Sequence, residues 1–201
     1  MSTHHATHPG DIFLAILAAG GSKRFGDADK LTVPLNGKML GLHASDMLAR
    51  FDFLKASVIT RSLVHPCAGH WQSAGYTVLA NCEADEGMAA SIRIAAREAA
   101  QSGAAGLMLV LADMPMVSSA HIERMLREFD RSCDQAVIAS TEGTHRSPPV
   151  LFGKGCYQAL MHLRGDIGGR EIFEHARLMR AAPEELLDVD TAADLQGLSG
   201  D

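Results

Sequence analysis

The stretch LAILAAGGSKRFGDADKL, Leu14 to Leu31, runs from an apolar segment into small residues and glycines, then delivers Lys23, Arg24 and Lys30 within a few positions. Ile12–Leu17 reads as a buried strand, and Gly20 and Gly21 mark the tight turn that ends it. Such a turn has two readings. It is a plain strand-to-helix connection with solvated cations, or it is a seat for an anion. In the second case glycines let backbone N–H groups approach the ligand and Ser22 adds a hydroxyl. Arg24 would grip phosphate oxygens as a fork, and Lys30 would reach them as a mobile point charge. Gly20, Gly21 and Gly26 match neither GxGxxG nor the phosphate loop GxxxxGK[ST], because Asp27 follows Gly26.

Outward from this turn, apolar β-type runs alternate with helical patterns. Leu42–Phe51 is expected as a helix, and Ala56–Thr60 and Tyr76–Ala80 as strands. Met88–Ala100 is rich in helix formers behind Gly87. Leu107–Leu111, LMLVL, is the clearest buried strand. Ser118 and Ser119 can cap a helix to about Phe129. Strands follow at Ala136–Ser140 and Val150–Phe152, then short helices at Tyr157–Leu163 and Arg170–Ala176. A strand near Leu178–Ala181 and a helix begun by Thr191 close the chain. This alternation predicts a Rossmann-like three-layer α/β/α fold, with a mostly parallel sheet in a single domain over residues 11–201. Residues 1–10 are expected to be a disordered N-terminal segment. In such sheets ligands bind beyond the carboxyl ends of the strands.

Bulk properties narrow the partners. The chain has 201 residues, 47% of them hydrophobic and 21% charged, with a formal net charge of −6. An acidic chain without a basic block argues against nucleic acid, which demands a cationic footprint. The longest apolar run, Ile12–Ala19, is far short of the roughly 20 residues that span a bilayer, so no membrane partner is expected. Cys67, Cys82, Cys133 and Cys156 are scattered without a CxxC pair and read as reduced thiols. Residues 1–10 lack the apolar core of a signal peptide, and a cytoplasmic setting is expected. His4, His5 and His8 could chelate a metal, but they fall in the segment expected to be loose.

LMLVLADMP places Asp113 directly after the best strand, and Pro115 stops the ladder from continuing. Asp113 therefore emerges at the carboxyl edge, beside the glycine turn. A carboxylate about 4 Å from a phosphate charge repels it by roughly 4 kcal/mol at an effective dielectric near 20. An intervening Mg²⁺, usually held by one or two carboxylates plus substrate phosphates, reverses that sign. A second carboxylate should then converge on the same spot, and LLDVDTAADL, residues 186–195, offers Asp188 and Asp190 on a short β-like run. Asp194 falls near the start of the last helix, a favourable position for a negative charge.

Leu17 through Lys30, as L-A-A-G-G-S-x-R-F-G-x-x-D-K, resembles the signature of the nucleotidyltransferases that act on the molybdenum cofactor, relatives of the sugar-phosphate and isoprenoid nucleotidyltransferases. Pro34, Leu35, Gly37 and Lys38 continue its P-L-x-G-K pattern, and L-A-D-M-P and D-V-D-T-x-x-D-L follow in the family's order. The resemblance implies that Leu17, Ala18, Ala19, Gly20, Gly21 and Ser22 wrap an incoming nucleotide, with Arg24 and Lys30 on its phosphates. It implies Asp113 and Asp190 as Mg²⁺ ligands, with Asp188 the alternative to Asp190. Arg24, Lys30 and Asp113 are thereby the catalytic candidates.

EGMAASIRIA, residues 86–95, is similar to the family segment in which Gly87 admits the base and Ser91 bonds its edge. Ala19 stands where guanylyl-transferring relatives carry Gly, so the resemblance is closest to the cytidylyltransferase branch and favours CTP over GTP. PVLF (Pro149–Phe152) and GDIGGR (Gly165–Arg170) resemble its acceptor segments, making Asp166 and Arg170 the expected contacts to a phosphorylated pterin. Ser147-Pro148 replaces the usual Gly-His, and Gly169 replaces Ala. The implied activity is transfer of CMP from CTP to molybdopterin or its molybdenum form, with pyrophosphate released and a molybdoenzyme or its chaperone receiving the product. Three alternatives stand beside it: a GTP-using or other-acceptor transferase of the same fold, a non-catalytic carrier of the cofactor, and, more distantly, a flavin or nicotinamide oxidoreductase.

Overall fold

A computed structural model describes residues 7–21, 25, 29–143, 145–164 and 176–198. The chain packs from its first described residue: Thr7 is buried and its hydroxyl donates to the Phe129 carbonyl at 2.8 Å. A single 3-10 turn, Pro9–Asp11, leads into the first strand. The boundary expected at residue 10 thus falls inside this turn, and Thr7 ahead of it is packed on the domain.

The elements run β1 (Ile12–Ala18), β2 (Pro34–Leu35), β3 (Lys38–Met39), α1 (His43–Leu48), β4 (Lys55–Thr60), α2 (Ala68–Ser73) and β5 (Thr77–Ala80). They continue through α3 (Met88–Ser102), β6 (Gly106–Leu111), α4 (Ser119–Glu128), β7 (Val137–Thr141), β8 (Arg146–Gly153), α5 (Tyr157–Met161), β9 (Arg177–Arg180) and α6 (Ala192–Leu198). Among the described residues seven strands form one sheet in the order β5-β4-β1-β6-β8-β7-β9. β1 is parallel to β4 and β6, and β8 runs antiparallel, against both β6 and β7. The helix expected over Leu42–Phe51 is a 3-10 turn, Leu40–Leu42, leading into the short α1. The helix expected over Arg170–Ala176 lies almost wholly outside the described residues. Three of these elements were not expected: β2 and β3, which pair as a hairpin, and α2.

Every residue of β1 is buried, and its alternation sorts the core into two layers. Ile12, Leu14 and Ile16 join Met108 and Val110 of β6 against Ile122, Met125 and Leu126 of α4, with Trp71 of α2 in the same cluster. Phe13, Ala15 and Leu17 join Leu107 and Leu109 against Ile92, Ala95, Ala96 and Ala99 of α3 and Leu160 of α5. The buried alanines let α3 lie close on the sheet. Both faces of the central strands are therefore covered, and only the strand ends remain for a site. Among the described residues no helix is long and apolar enough to cross a membrane.

Candidate active site

At the carboxyl edge of β1 and β6 lies a cleft of about 400 Å³. Its walls include Leu17, Ala18, Ala19, Gly20 and Gly21 from the first turn, Gly87 and Ser91 from the start of α3, and Lys30, Asp113, Asp188 and Asp190. Ser22, Arg24, Asp166 and Arg170 lie outside the described residues.

Local chemistry brings the charged groups together. The Ala112 N–H donates to the Leu17 carbonyl at 3.0 Å, which ties the turn after β6 to the end of β1. Next in the chain, Asp113 offers its own carbonyl to the Val189 N–H at 2.9 Å. That one bond brings the C-terminal segment to the sheet edge in place of the short β-like run expected there. Val189 is fully buried with Leu35 and Leu40, while Asp188 and Asp190 on either side line the cleft. Thr191 and Asp194 form a reciprocal cap at the start of α6: the Asp194 carboxylate accepts from the Thr191 and Asp190 N–H groups, and the Thr191 hydroxyl accepts from the Asp194 N–H. The cap pins the backbone of Asp190 itself.

The Lys30 ammonium stands between the two carboxylates, 2.6 Å from Asp113 Oδ2 and 2.8 Å from Asp190 Oδ1. Burial acts to lower its pKa, but the charges and hydrogen bonds of Asp113 and Asp190 outweigh it and hold Lys30 above its ordinary value. The other oxygen, Asp113 Oδ1, is buried and has no hydrogen-bond partner. A buried carboxylate oxygen with no donor is costly and suits a cation. Burial, followed by the charges of Asp113 and Asp190, raises the pKa of Asp188. Among the described residues no group of three or more His, Cys, Asp or Glu side chains could hold a metal by itself. Two carboxylates with ligand phosphates completing the shell are the pattern of Mg²⁺, so the donor set fits such an ion in company with a nucleotide.

Opposite the charges, Gly87 begins α3 at φ 90° and ψ −167°, a conformation almost reserved to glycine. Ser91, one turn on, is buried, and its hydroxyl oxygen accepts from Asn81 Nδ2 at 2.9 Å. Asn81, which supports Ser91 from behind without lining the cleft, is a residue that sequence reasoning missed. It follows the end of β5 as Asp113 follows β6, so the same strand-end rule would have found it. Leu31, Ala84, Met88 and Leu111 complete the lining, with no polar signal to announce them.

A three-layer α/β/α fold that gathers a glycine turn, a strand-end Asp and a lysine–carboxylate cluster at one edge of its sheet accords with a nucleotidyltransferase, and the family match shows that class. The chain belongs to the family of MobA-like NTP transferase domains, whose model matches residues 14–182. It is 28% identical over 192 residues to the purine catabolism protein PucB of Bacillus subtilis strain 168, covering 87% of this chain and 89% of that one. It is 27% identical over 183 residues to the molybdenum cofactor guanylyltransferase of Shewanella frigidimarina, covering 90% and 88%. The crystal structure of Rv0371c from Mycobacterium tuberculosis H37Rv superposes with a TM-score of 0.75 at 23% identity, over 96% of this chain and 98% of that one. That protein has also been solved in complex with manganese, and this form superposes with a TM-score of 0.71.

Proposed function

We propose that the protein transfers CMP from CTP to the terminal phosphate of molybdopterin, or of its molybdenum-bearing form, and depends on Mg²⁺. An oxygen of the acceptor phosphate attacks the α-phosphorus in line, the bond from that phosphorus to the β-phosphate oxygen breaks, and pyrophosphate leaves. No covalent enzyme intermediate is required, and positioning with charge neutralisation carries the rate. The observation that supports this reading best is the Lys30 ammonium between Asp113 and Asp190 at the mouth of a glycine turn. It is a cation seat opening directly onto an anion seat.

Asp113 and Asp190 would hold the Mg²⁺, which supplies neutralisation of the triphosphate charge when bound. The partnerless Asp113 Oδ1 is the atom best suited to it. Lys30 and Arg24 hold charge on the departing pyrophosphate. The Gly20 and Gly21 backbone admits the nucleotide closely, and the Ala19 methyl narrows the base seat in favour of a pyrimidine. Ser91 accepts from Asn81, which leaves its own proton for an acceptor on the base edge. Asp166 and Arg170 orient the pterin phosphate. The reaction is assigned to the cytoplasm, with a molybdoenzyme or its chaperone as recipient.

The test is pyrophosphate release by the purified protein with CTP, GTP, ATP or UTP, with and without molybdopterin. Turnover that needs both CTP and acceptor, and is lost in Asp113→Asn, supports the proposal; undiminished turnover in that variant removes the metal role. A second reading, guanylyl transfer, is favoured by the name of the Shewanella relative, and preference for GTP in this assay selects it. Cofactor binding without pyrophosphate release would instead identify a carrier.

A further inference from the structure

The loop after β4 grips the far end of the nucleotide turn. His65 Nε2 lies 2.8 Å from Asp29 Oδ2, across 36 residues of sequence. The Cys67 N–H donates to His65 Nδ1 at 3.1 Å. That second bond fixes the ring: Nδ1 is the acceptor, so in the neutral imidazole Nε2 carries the hydrogen and donates to the Asp29 carboxylate. The imidazole lies over the Trp71 ring, with centroids 5.0 Å apart and planes 22° from parallel. Trp71 is itself fully buried, with its Nε1 donating to the Gly41 carbonyl at 3.2 Å.

Asp29 passes this restraint on. Its Oδ1 accepts from the Leu31 N–H at 3.0 Å and caps the single turn Lys30–Thr32. The hydrogen bond from His65 is the largest reason that the Asp29 carboxyl sits below its ordinary pKa, so the pair favours the charged form that caps best. Lys30 is the first residue of that turn. Its long stem has several rotatable bonds, and only a fixed backbone can deliver the ammonium to two carboxylates at once.

We propose that His65 is a positioning residue for Lys30. It holds Asp29, Asp29 holds the turn, and the turn aims the ammonium at Asp113 and Asp190. His65 does not line the cleft and belongs to none of the motifs that mark the family. The inference rests on the role given to Lys30 above, but its first test needs no nucleotide.

That test is the rate at which an amine-acetylating reagent modifies Lys30, read by peptide mass against exposed Lys55 as internal reference. His65→Phe keeps a ring on Trp71 and removes the donor. Lys30 should be modified about tenfold faster in it, the equivalent of one lost hydrogen bond to a charged group. His65→Gln, whose amide can donate to Asp29, should return the rate close to that of the parent protein. Should His65→Phe fail to fold, Asp29→Asn weakens the same bond from the other side and should also speed the modification. With CTP and Mg²⁺, calorimetry should show about tenfold weaker binding in His65→Phe, and no further loss when that change is added to Lys30→Met. Unchanged Lys30 reactivity in a folded His65→Phe protein, or equal acceleration in His65→Gln, overturns the proposal. If reactivity behaves as expected and the parent protein binds no nucleoside triphosphate, the positioning role stands and the nucleotidyl-transfer reading of the cleft falls.

Discussion

Replacing Lys30 with Met keeps most of the apolar stem and removes the ammonium from between two carboxylates. At 2.6 Å and an effective dielectric near 20, the attraction between Lys30 and Asp113 is roughly 6 kcal/mol. The Asp190 side chain is 40% exposed, so solvent screens its share to about 1 kcal/mol or less. Against these gains stands the cost of keeping both partners out of water, several kcal/mol per ion. Lys30→Met recovers only its own part of that cost and leaves Asp113 desolvated beside Asp188 and Asp190. The expected net loss is roughly 3 kcal/mol, the lower end for removing one partner of a buried pair. Urea unfolding near neutral pH measures it. In an Asp113→Asn background the same change should cost much less, because the stranded charge is gone. The pH dependence follows from the raised pKa of Lys30. Its contribution is complete below the unfolded lysine value near 10.4 and is lost as pH rises through the higher folded value. The difference between parent and Lys30→Met should therefore hold steady up to about pH 10 and shrink beyond it. A loss under about 0.5 kcal/mol at neutral pH, the range of an ordinary surface change, would refute the reasoning.

Three further outcomes are expected. Gly87→Ala forces a side chain into a backbone region almost closed to it and should cost roughly 1–3 kcal/mol in thermal or urea unfolding, with weaker nucleotide binding beside it. Thr191→Ala removes the hydroxyl that accepts from the Asp194 N–H and should cost about 1 kcal/mol, while lowering turnover by more than its stability loss explains, because the Asp194 carboxylate loosened by it is the acceptor for the Asp190 N–H. Burial, opposed by Glu185 and aided by Arg124, lowers the pKa of His121, which donates to the Ser140 hydroxyl and accepts from Arg124. The unfolded chain then takes up the proton first, so stability should fall as pH drops from about 6.5 toward the lower folded value. His121→Gln, which keeps a donor, should flatten that slope in unfolding curves between pH 7 and 5.

The parts of this molecule that were legible are those whose cause is local. β1 and β6 are apolar on both faces because helices cover both sides, and a continuous apolar run states this directly. Asp113 was legible because a polar residue after such a run must emerge at the edge. The β2–β3 hairpin was equally written in the chain: Asn36-Gly37, with φ of 48° and 80°, is the turn pair that a two-residue hairpin asks for, but those residues read first as a family motif. α2 escaped because six residues with Gly69 in their midst carry little helical signal, and only Ala68 and Trp71 are buried. The reversal of β8 has no residue signature, since a covered antiparallel strand looks like a covered parallel one; only its short connection to β7 betrays it. The cluster itself was half legible. Carboxylates could be placed near a phosphate seat, but a lysine joined to an aspartate 160 residues away depends on the Asp113–Val189 backbone bond, which no pattern encodes.

That backbone bond also sets a timetable. Lys30 and Asp113 leave the ribosome long before Asp190, so a nascent chain carries the glycine turn and one carboxylate well ahead of the other. The charge cluster becomes complete only when the segment around Val189 folds back onto the finished sheet. A domain assembled in this order acquires its chemistry only after the scaffold that must restrain it.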